Sequence, residues 1–220
     1  MKRFLTKYDL VRMHNITEDE ANSLVLYKGS YYENINHYLR TNVFVADEKI
    51  PSLPELKHHI KNIERAMNPL SKNMVVYRGI PSNYEDLITG TYEYVDTAFM
   101  STTTDIEQAY KFTKGKECCI FEIKVPKGTM AFDFQDLESE VLLESGMKLV
   151  DFSYKGIVQT THGLRLHFKC NAEKMDSTTI KKYREKYNKI EKDIEKIAME
   201  MEKKRTSMFD DLMSEIEDEF

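Results

Sequence analysis

A chain of 220 residues and 25.9 kDa accommodates one sizeable α+β domain, or a domain with an appendage, and falls short of two full domains. With 41% hydrophobic and 31% charged residues, 8 Gly and 5 Pro, the composition excludes a membrane protein, a wholly disordered chain and a Gly/Pro-rich fibre. A net charge of -5 with pI near 5.8 sets up a field that repels nucleic acid and acidic membranes, so neither is indicated as a partner.

The opening stretch MKRFLTKYDLVRMHN has basic residues and no apolar run of signal-peptide length, and no segment approaches the ~18 apolar residues of a spanning helix. The expectation is a protein that starts in a cytoplasm. From Thr17, TEDEANSLVLYKG reads as a helix with Thr17 as N-cap, Glu20 at the capping-box position, and Leu24, Tyr27 and Gly29 closing it. In SYYENINHYLRTN, Tyr32, Ile35 and Leu39 share one face, which predicts a second helix capped by Ser30. Leu56, Ile60, Ile63 and Met67 repeat the pattern over residues 52–70, where Pro69 ends a third helix.

The period then changes. MVVYRGI (74–80) is a β-branched and aromatic run stopped by Gly79 and Pro81, ECCIFEIKV (117–125) alternates before Pro126, and EVLL (140–143) is a short apolar strand. TDIEQAYKFTKG (104–115) reads as a helix capped by Thr104 or Asp105 and stopped by Gly115, and residues 156–170 supply two strands hinged near Gly163. Helices followed by strands predict an α+β domain with a mainly antiparallel sheet. Cys118, Cys119 and Cys170 are odd in number and lack CxxC spacing, so neither a disulfide framework nor a zinc site is expected.

From Ser177 onward there is no Gly or Pro. Ile180, Tyr183, Tyr187, Ile190, Ile194, Ile197 and Met201 form a heptad seam that Lys204 interrupts, after which Met208, Leu212 and Ile216 resume an apolar stripe. Residues 171–220 carry a net charge of -3, and the last eleven residues hold six acids and no base. Such a segment packs on its own domain, forms a short coiled coil or recruits a basic partner, and its acidic end reads most simply as a solvated tail.

Three segments carry polar residues beside strands: YRG at 77–79, STTTD at 101–105 and ESEVLL at 138–143. Arg78 at a strand end is suited to bidentate phosphate binding, and Gly79 permits close backbone approach. Glu138 and Glu140, two apart at the start of a strand, are expected to place both carboxylates on one face. No Walker loop, GxGxxG turn, GxSxG elbow or set of His and acidic metal ligands is present. Each signal alone has a plain structural reading, as a salt-bridge partner, a solvated turn or a polar strand edge.

In this order, aromatic-Arg-Gly, F-x-S-T-[ST] and E-x-E before an apolar strand, the sequence resembles the arginine–serine–glutamate mono-ADP-ribosyltransferases, which include binary actin-modifying toxins and tailed-phage transferases. The likeness runs from about residue 17 to 168. It includes the Y-x-x-I-N-x-x-L-R stretch of the binary-toxin branch, matched by Tyr32, Ile35, Asn36, Leu39 and Arg40 with Tyr27 one turn earlier. Two departures stand out: Thr103 at the third S-T-S position, and Glu144 where a Pro often follows the E-x-E strand.

The resemblance implies an ADP-ribosyltransferase-like fold with N-terminal helices, a mainly antiparallel two-sheet β core and a long C-terminal helical extension, divided as 1–170 and 175–220. It also implies that NAD is the substrate, held by Tyr27, Tyr32, Asn36, Arg78, Gly79, Ser101, Thr102 and a nicotinamide-stacking Phe112, with no metal. Ser101 would position Glu140, which stabilises the oxocarbenium-like ribose, and Glu138 would engage an acceptor arginine of a target protein, a host protein being expected. Phe132 and Phe134 read as an apolar platform for that acceptor or as core aromatics, and the helix tyrosines as ligand contacts or core. The alternatives are an NAD glycohydrolase and a catalytically idle module binding a partner through the C-terminal helix.

Overall fold

The computed structural model describes residues 5–81, 94–113, 118–161 and 163–218, and the side chains of 81, 118 and 206–218 lie outside that description. The expected stop at Gly115, the stripe of Met208, Leu212 and Ile216, and the acidic end therefore fall on positions or side chains outside it.

Four helices open the chain. Helix α1 (Lys7–His14), which its weak periodicity does not predict, is closed by a capping box in which Asp9 N donates to Thr6 Oγ1 and Thr6 N to Asp9 Oδ2. Helix α2 (Glu18–Leu26) starts with the predicted box, Thr17 Oγ1 accepting from Glu20 N at 3.2 Å. Its expected end at Gly29, and a fresh start at Ser30, do not occur. The chain stays helical through a π turn, Tyr27–Tyr31, straight into α3 (Tyr32–Thr41), and Ser30 caps nothing. Gly29 and Ser30 are poor helix formers, and here the helix widens by a residue instead of breaking. Helix α4 (Leu53–Ala66) is capped by Ser52 and followed by the two-residue strand β1 (Asn68–Pro69).

The β part comprises β2 (Met74–Pro81), β3 (Tyr94–Asp96), β4 (Met100–Thr103), β5 (Cys118–Val125), β6 (Met130–Asp133), β7 (Glu140–Leu143), β8 (Met147–Thr160) and β9 (Gly163–Lys174), with a short helix α5 (Ile106–Lys111) between β4 and β5. Among the described residues the order is β1-β6-β7-β4-β2-β5-β9-β8-β3, antiparallel except for the parallel β5–β9 pair. Gly79 does not stop β2, which runs on to Pro81. Both residues continue its register against β5, Gly79 opposite Ile120 and Pro81 opposite Cys118.

The β1-β6-β7-β4 half and the β2-β5-β9-β8-β3 half are joined at β2–β4 by a single register pair, Tyr77 opposite Thr103. Across that hinge the halves bury one cluster, in which Met100, Val141 and Leu143 meet Val76, Phe121, Ile123, Met147 and Phe168, so the ladder folds into two facing layers. Cys119 and Cys170 are buried in this core. A second cluster packs Leu10, Leu24, Ile35, Leu39, Leu56 and Ile63 of the helices against Phe99, Phe132 and Leu142.

Helix α6 (Ser177–Asp218) leaves the sheet after Lys174. Its first turns dock: Arg184 Nε donates to Leu39 O and Tyr187 OH to Val95 O, each at 2.7 Å. The rest of the heptad seam does not pack on the fold, since Ile190, Ile194, Ile197 and Met201 are all exposed. Among the described residues no helix is long and apolar enough to cross a membrane.

Candidate active site

Strands β2 and β4 separate just beyond the Tyr77–Thr103 pair, so Arg78 and Gly79 on one side and Ser101 and Thr102 on the other line the gap between them. Arg78 spans it, donating from Nη1 to Ser101 O at 2.5 Å, while its buried Nε has no hydrogen-bond partner among the described residues. Burial works against this guanidinium's charge, but Tyr94 and Asp96 outweigh it and hold the pKa above the ordinary arginine value. Gly79 is required sterically, because a Cβ there would stand 2.5 Å from Ala109 O and 2.6 Å from Thr113 Cγ2.

The gap opens into a cleft of about 540 Å³ whose lining includes all ten residues singled out in the sequence: Tyr27, Tyr32, Asn36, Arg78, Gly79, Ser101, Thr102, Phe112, Glu138 and Glu140. They play unequal structural parts. Ser101 Oγ donates to Glu140 Oε1 at 2.5 Å, whereas the Thr102 hydroxyl is committed to Val141 O at 2.6 Å. Tyr27 is buried, its hydroxyl paired with the Asn36 amide and its ring edge-on to Phe99 at 5.7 Å. Burial raises the Tyr27 hydroxyl well above the usual tyrosine range. Tyr32 and Phe112, 44% and 60% exposed, stand at the rim.

The two glutamates converge, though not by strand alternation. Only Glu140 belongs to β7, Glu138 lies in the preceding turn, and Ser139 between them takes a left-handed conformation at φ 49°. Asp136 builds that turn: its Oδ1 accepts from Glu138 N at 3.0 Å and Glu140 N at 3.3 Å. Thr103, in place of the more usual serine, donates to Glu138 O at 2.7 Å and accepts from Asp105 N at 3.0 Å, tying the turn to β4. Glu144, in place of proline, accepts from Met130 N at 3.0 Å and pairs with Lys174 at 2.6 Å.

Three contributors, Asp136, Lys28 and Arg40, were not expected at the site, Arg40 being named only within the Y-x-x-I-N-x-x-L-R stretch. Lys28, in the π turn, lies 2.9 Å from Asp136 Oδ2 and also hydrogen-bonds Glu138 and Glu140. Burial disfavours its charge, but Glu140 and the hydrogen bonds to all three carboxylates raise its pKa above the ordinary lysine value. Arg40 also lines the cleft, in a bidentate pair with Asp96 at 2.8 and 3.0 Å. The Asp two residues before Glu138 is a legible turn signal; Lys28 has none, since its role depends on contacts more than a hundred residues away. Phe132 and Phe134 are not a platform: both are buried at 2% exposure, stacked edge-on at 4.9 Å within the helical core.

A two-layer sheet splayed at one register pair, with an arginine, a serine and two glutamates around the opening, is the arrangement that the resemblance to the arginine–serine–glutamate transferases implies. Residues 6–163 match the ADP-ribosyltransferase exoenzyme family, and the chain belongs to it. Among solved structures it is similar to the ADP-ribosylating toxin BECa of a binary enterotoxin of C. perfringens, with NADH (19% identity, TM-score 0.59, covering 77% of this chain and 45% of that one). It is likewise similar to Plx2a, an ADP-ribosyltransferase toxin from Paenibacillus larvae (21%, TM-score 0.53, covering 79% and 100%). A third similar structure is C2-I, the enzymatic component of the Clostridium botulinum C2 toxin (20%, TM-score 0.53, covering 77% and 46%). The chain thus spans less than half the length of BECa and C2-I, and all of Plx2a. No curated protein matches it.

Proposed function

We propose that the chain transfers ADP-ribose from NAD to an arginine side chain of a protein, releasing nicotinamide. NAD is the substrate of ADP-ribosyltransferases, and the cleft suits it: Arg78, charged and with a buried Nε free of hydrogen bonds among the described residues, suits a pyrophosphate. Tyr27, Tyr32, Asn36 and Thr102 line the remaining walls, the Gly79 backbone meets the carboxamide, and Phe112 at the rim supplies a face for the nicotinamide ring. Cleaving the ribose–nicotinamide bond develops positive charge at the ribose carbon, which a fixed carboxylate stabilises. Glu140, oriented by the Ser101 hydroxyl, takes that part.

The observation that carries the arginine assignment is the second carboxylate. Glu138 stands at the same mouth, one-third exposed, where an entering guanidinium meets it, and arginine must lose a proton in or near the transition state to become nucleophilic. Residues 1–170 form the catalytic domain in this reading and 175–220 its helical extension. The target is a protein with an accessible arginine, in a host cell whose cytoplasm the enzyme shares or is delivered to.

The test is Glu138→Gln, assayed for nicotinamide release and for labelling of a free guanidinium acceptor such as agmatine. Labelling should collapse while hydrolysis of NAD persists, since water needs no deprotonation by Glu138. An equal fall in both rates would place Glu138 in the NAD site and remove the support for arginine.

A further inference from the structure

Asp136, Glu138 and Glu140 each present a carboxylate oxygen, and the three lie within 4.8 Å of one another. Like charges that close disfavour joint ionisation, yet a carboxylate that stabilises an oxocarbenium-like centre must carry its charge. Asp136 is held by two backbone N–H groups and Glu140 by the Ser101 hydroxyl, and these are neutral donors. Within salt-bridge distance of the three, the cation among the described residues is Lys28. Arg78 reaches the Ser101 carbonyl and Arg40 is spent on Asp96. On its other sides Lys28 faces the ring of Phe134, 5.2 Å away, and Glu140 faces the buried Tyr27.

Backbone geometry brings the ammonium there. In an α-helix Tyr27, Lys28 and Tyr32 would spread around the axis, but the wider π turn brings them nearer one side, and all three line the cleft.

We propose that Lys28 is a positioning residue for the transferase reaction: its ammonium is the counter-charge that offsets the mutual repulsion of the Asp136, Glu138 and Glu140 carboxylates and holds them together beside the cleft. The proposal rests on the NAD-cleaving reading of this cleft. In Lys28→Met the cluster is uncompensated and takes up a proton. Nicotinamide release, followed from about pH 5 to 10, should therefore fall at least about tenfold near pH 6–7 and approach wild type at the alkaline end. The acid limb should move up by about one unit or more. Lys28→Arg should keep the wild-type profile. An unmoved acid limb, or a loss equal at every pH, overturns the assignment.

Melting curves of the same variants supply a readout independent of turnover. The stability gap between wild type and Lys28→Met should narrow as pH falls from about 7 to 4, because protonation removes the charge that Lys28 offsets. A gap constant with pH would overturn the proposal. Wild-type protein that releases no nicotinamide would instead sink the NAD-cleaving reading, and the melting comparison would still decide the part played by Lys28.

Discussion

Glu140 is a buried carboxylate that gives up water and takes in exchange one hydroxyl, from Ser101, and one ammonium, from Lys28. Both partners come from elsewhere in the chain, on β4 and the π turn, so the carboxylate is fixed in position before any substrate arrives. Such preorganisation is worth most where charge develops late in the reaction. Glu140→Gln preserves shape and a hydrogen bond to Ser101 while deleting the charge. It is expected to lower both NAD hydrolysis and transfer by at least about two orders of magnitude, with NAD binding retained. Steady-state nicotinamide release together with NAD titration checks this, and near-normal turnover would refute the role.

At the level of elements, α2 and α4 are joined by a buried polar staple as well as by leucines. Ser23 Oγ bonds His59 Nδ1 at 3.0 Å, and Asn62 Nδ2 donates to Ser23 Oγ at 3.1 Å. Burial, aided by the neighbouring His58, lowers the His59 pKa below its ordinary 6.5. The unfolded chain therefore binds this proton more readily than the fold does. The contribution of His59 is fully present above about pH 6.5 and is lost as pH falls through its lower folded value. His14 and His167 shift the same way for the same reason of burial, so acid should destabilise the protein before its carboxylates titrate. The melting-temperature difference between wild type and His59→Gln should accordingly shrink below about pH 6. A difference constant from pH 8 to 5 would show that His59 is not charged on unfolding.

Across the whole molecule, α6 divides into a docked part and a free part. Ile180, Tyr183 and Tyr187 are half-buried against the fold, and the Tyr187 hydroxyl, pushed up to about 12 by burial and by Asp96, bonds the backbone of β3. Removing everything after Asp176 forfeits that burial, roughly 2–3 kcal/mol, and should lower the melting temperature by about 5–10 °C. Removing everything after Lys192 deletes Ile194, Ile197 and Met201, each more than half exposed, and should leave melting and agmatine labelling unchanged. Labelling of the natural protein target should weaken in the shorter chain if the exposed seam recruits it. Equal retention on both acceptors would make the distal helix a bystander to target choice.

Local chemistry was enough for much of this. The Thr17–Glu20 box, the helix within 52–70, the β7 strand at 140–143 and the C-terminal helix follow from side chains satisfying backbone groups within a few residues, or from the period of the apolar residues. The three site signatures were legible for a similar reason, because each is a short segment whose chemistry travels with it. The convergence of those signatures was decided elsewhere. It comes from one register pair, Tyr77–Thr103, beyond which the sheet splays, and from a left-handed Ser139 that turns Glu138 back beside Glu140. Lys28 is the clearest case. Nothing around it in sequence distinguishes it from a surface lysine, and its contacts to residues 136, 138 and 140 exist only because a π turn aims it across the cleft. The sequence by itself determined which groups the protein has for the proposed chemistry, and the tertiary structure alone decided which of them share a field, because Coulomb interactions fall with distance in space and not along the chain.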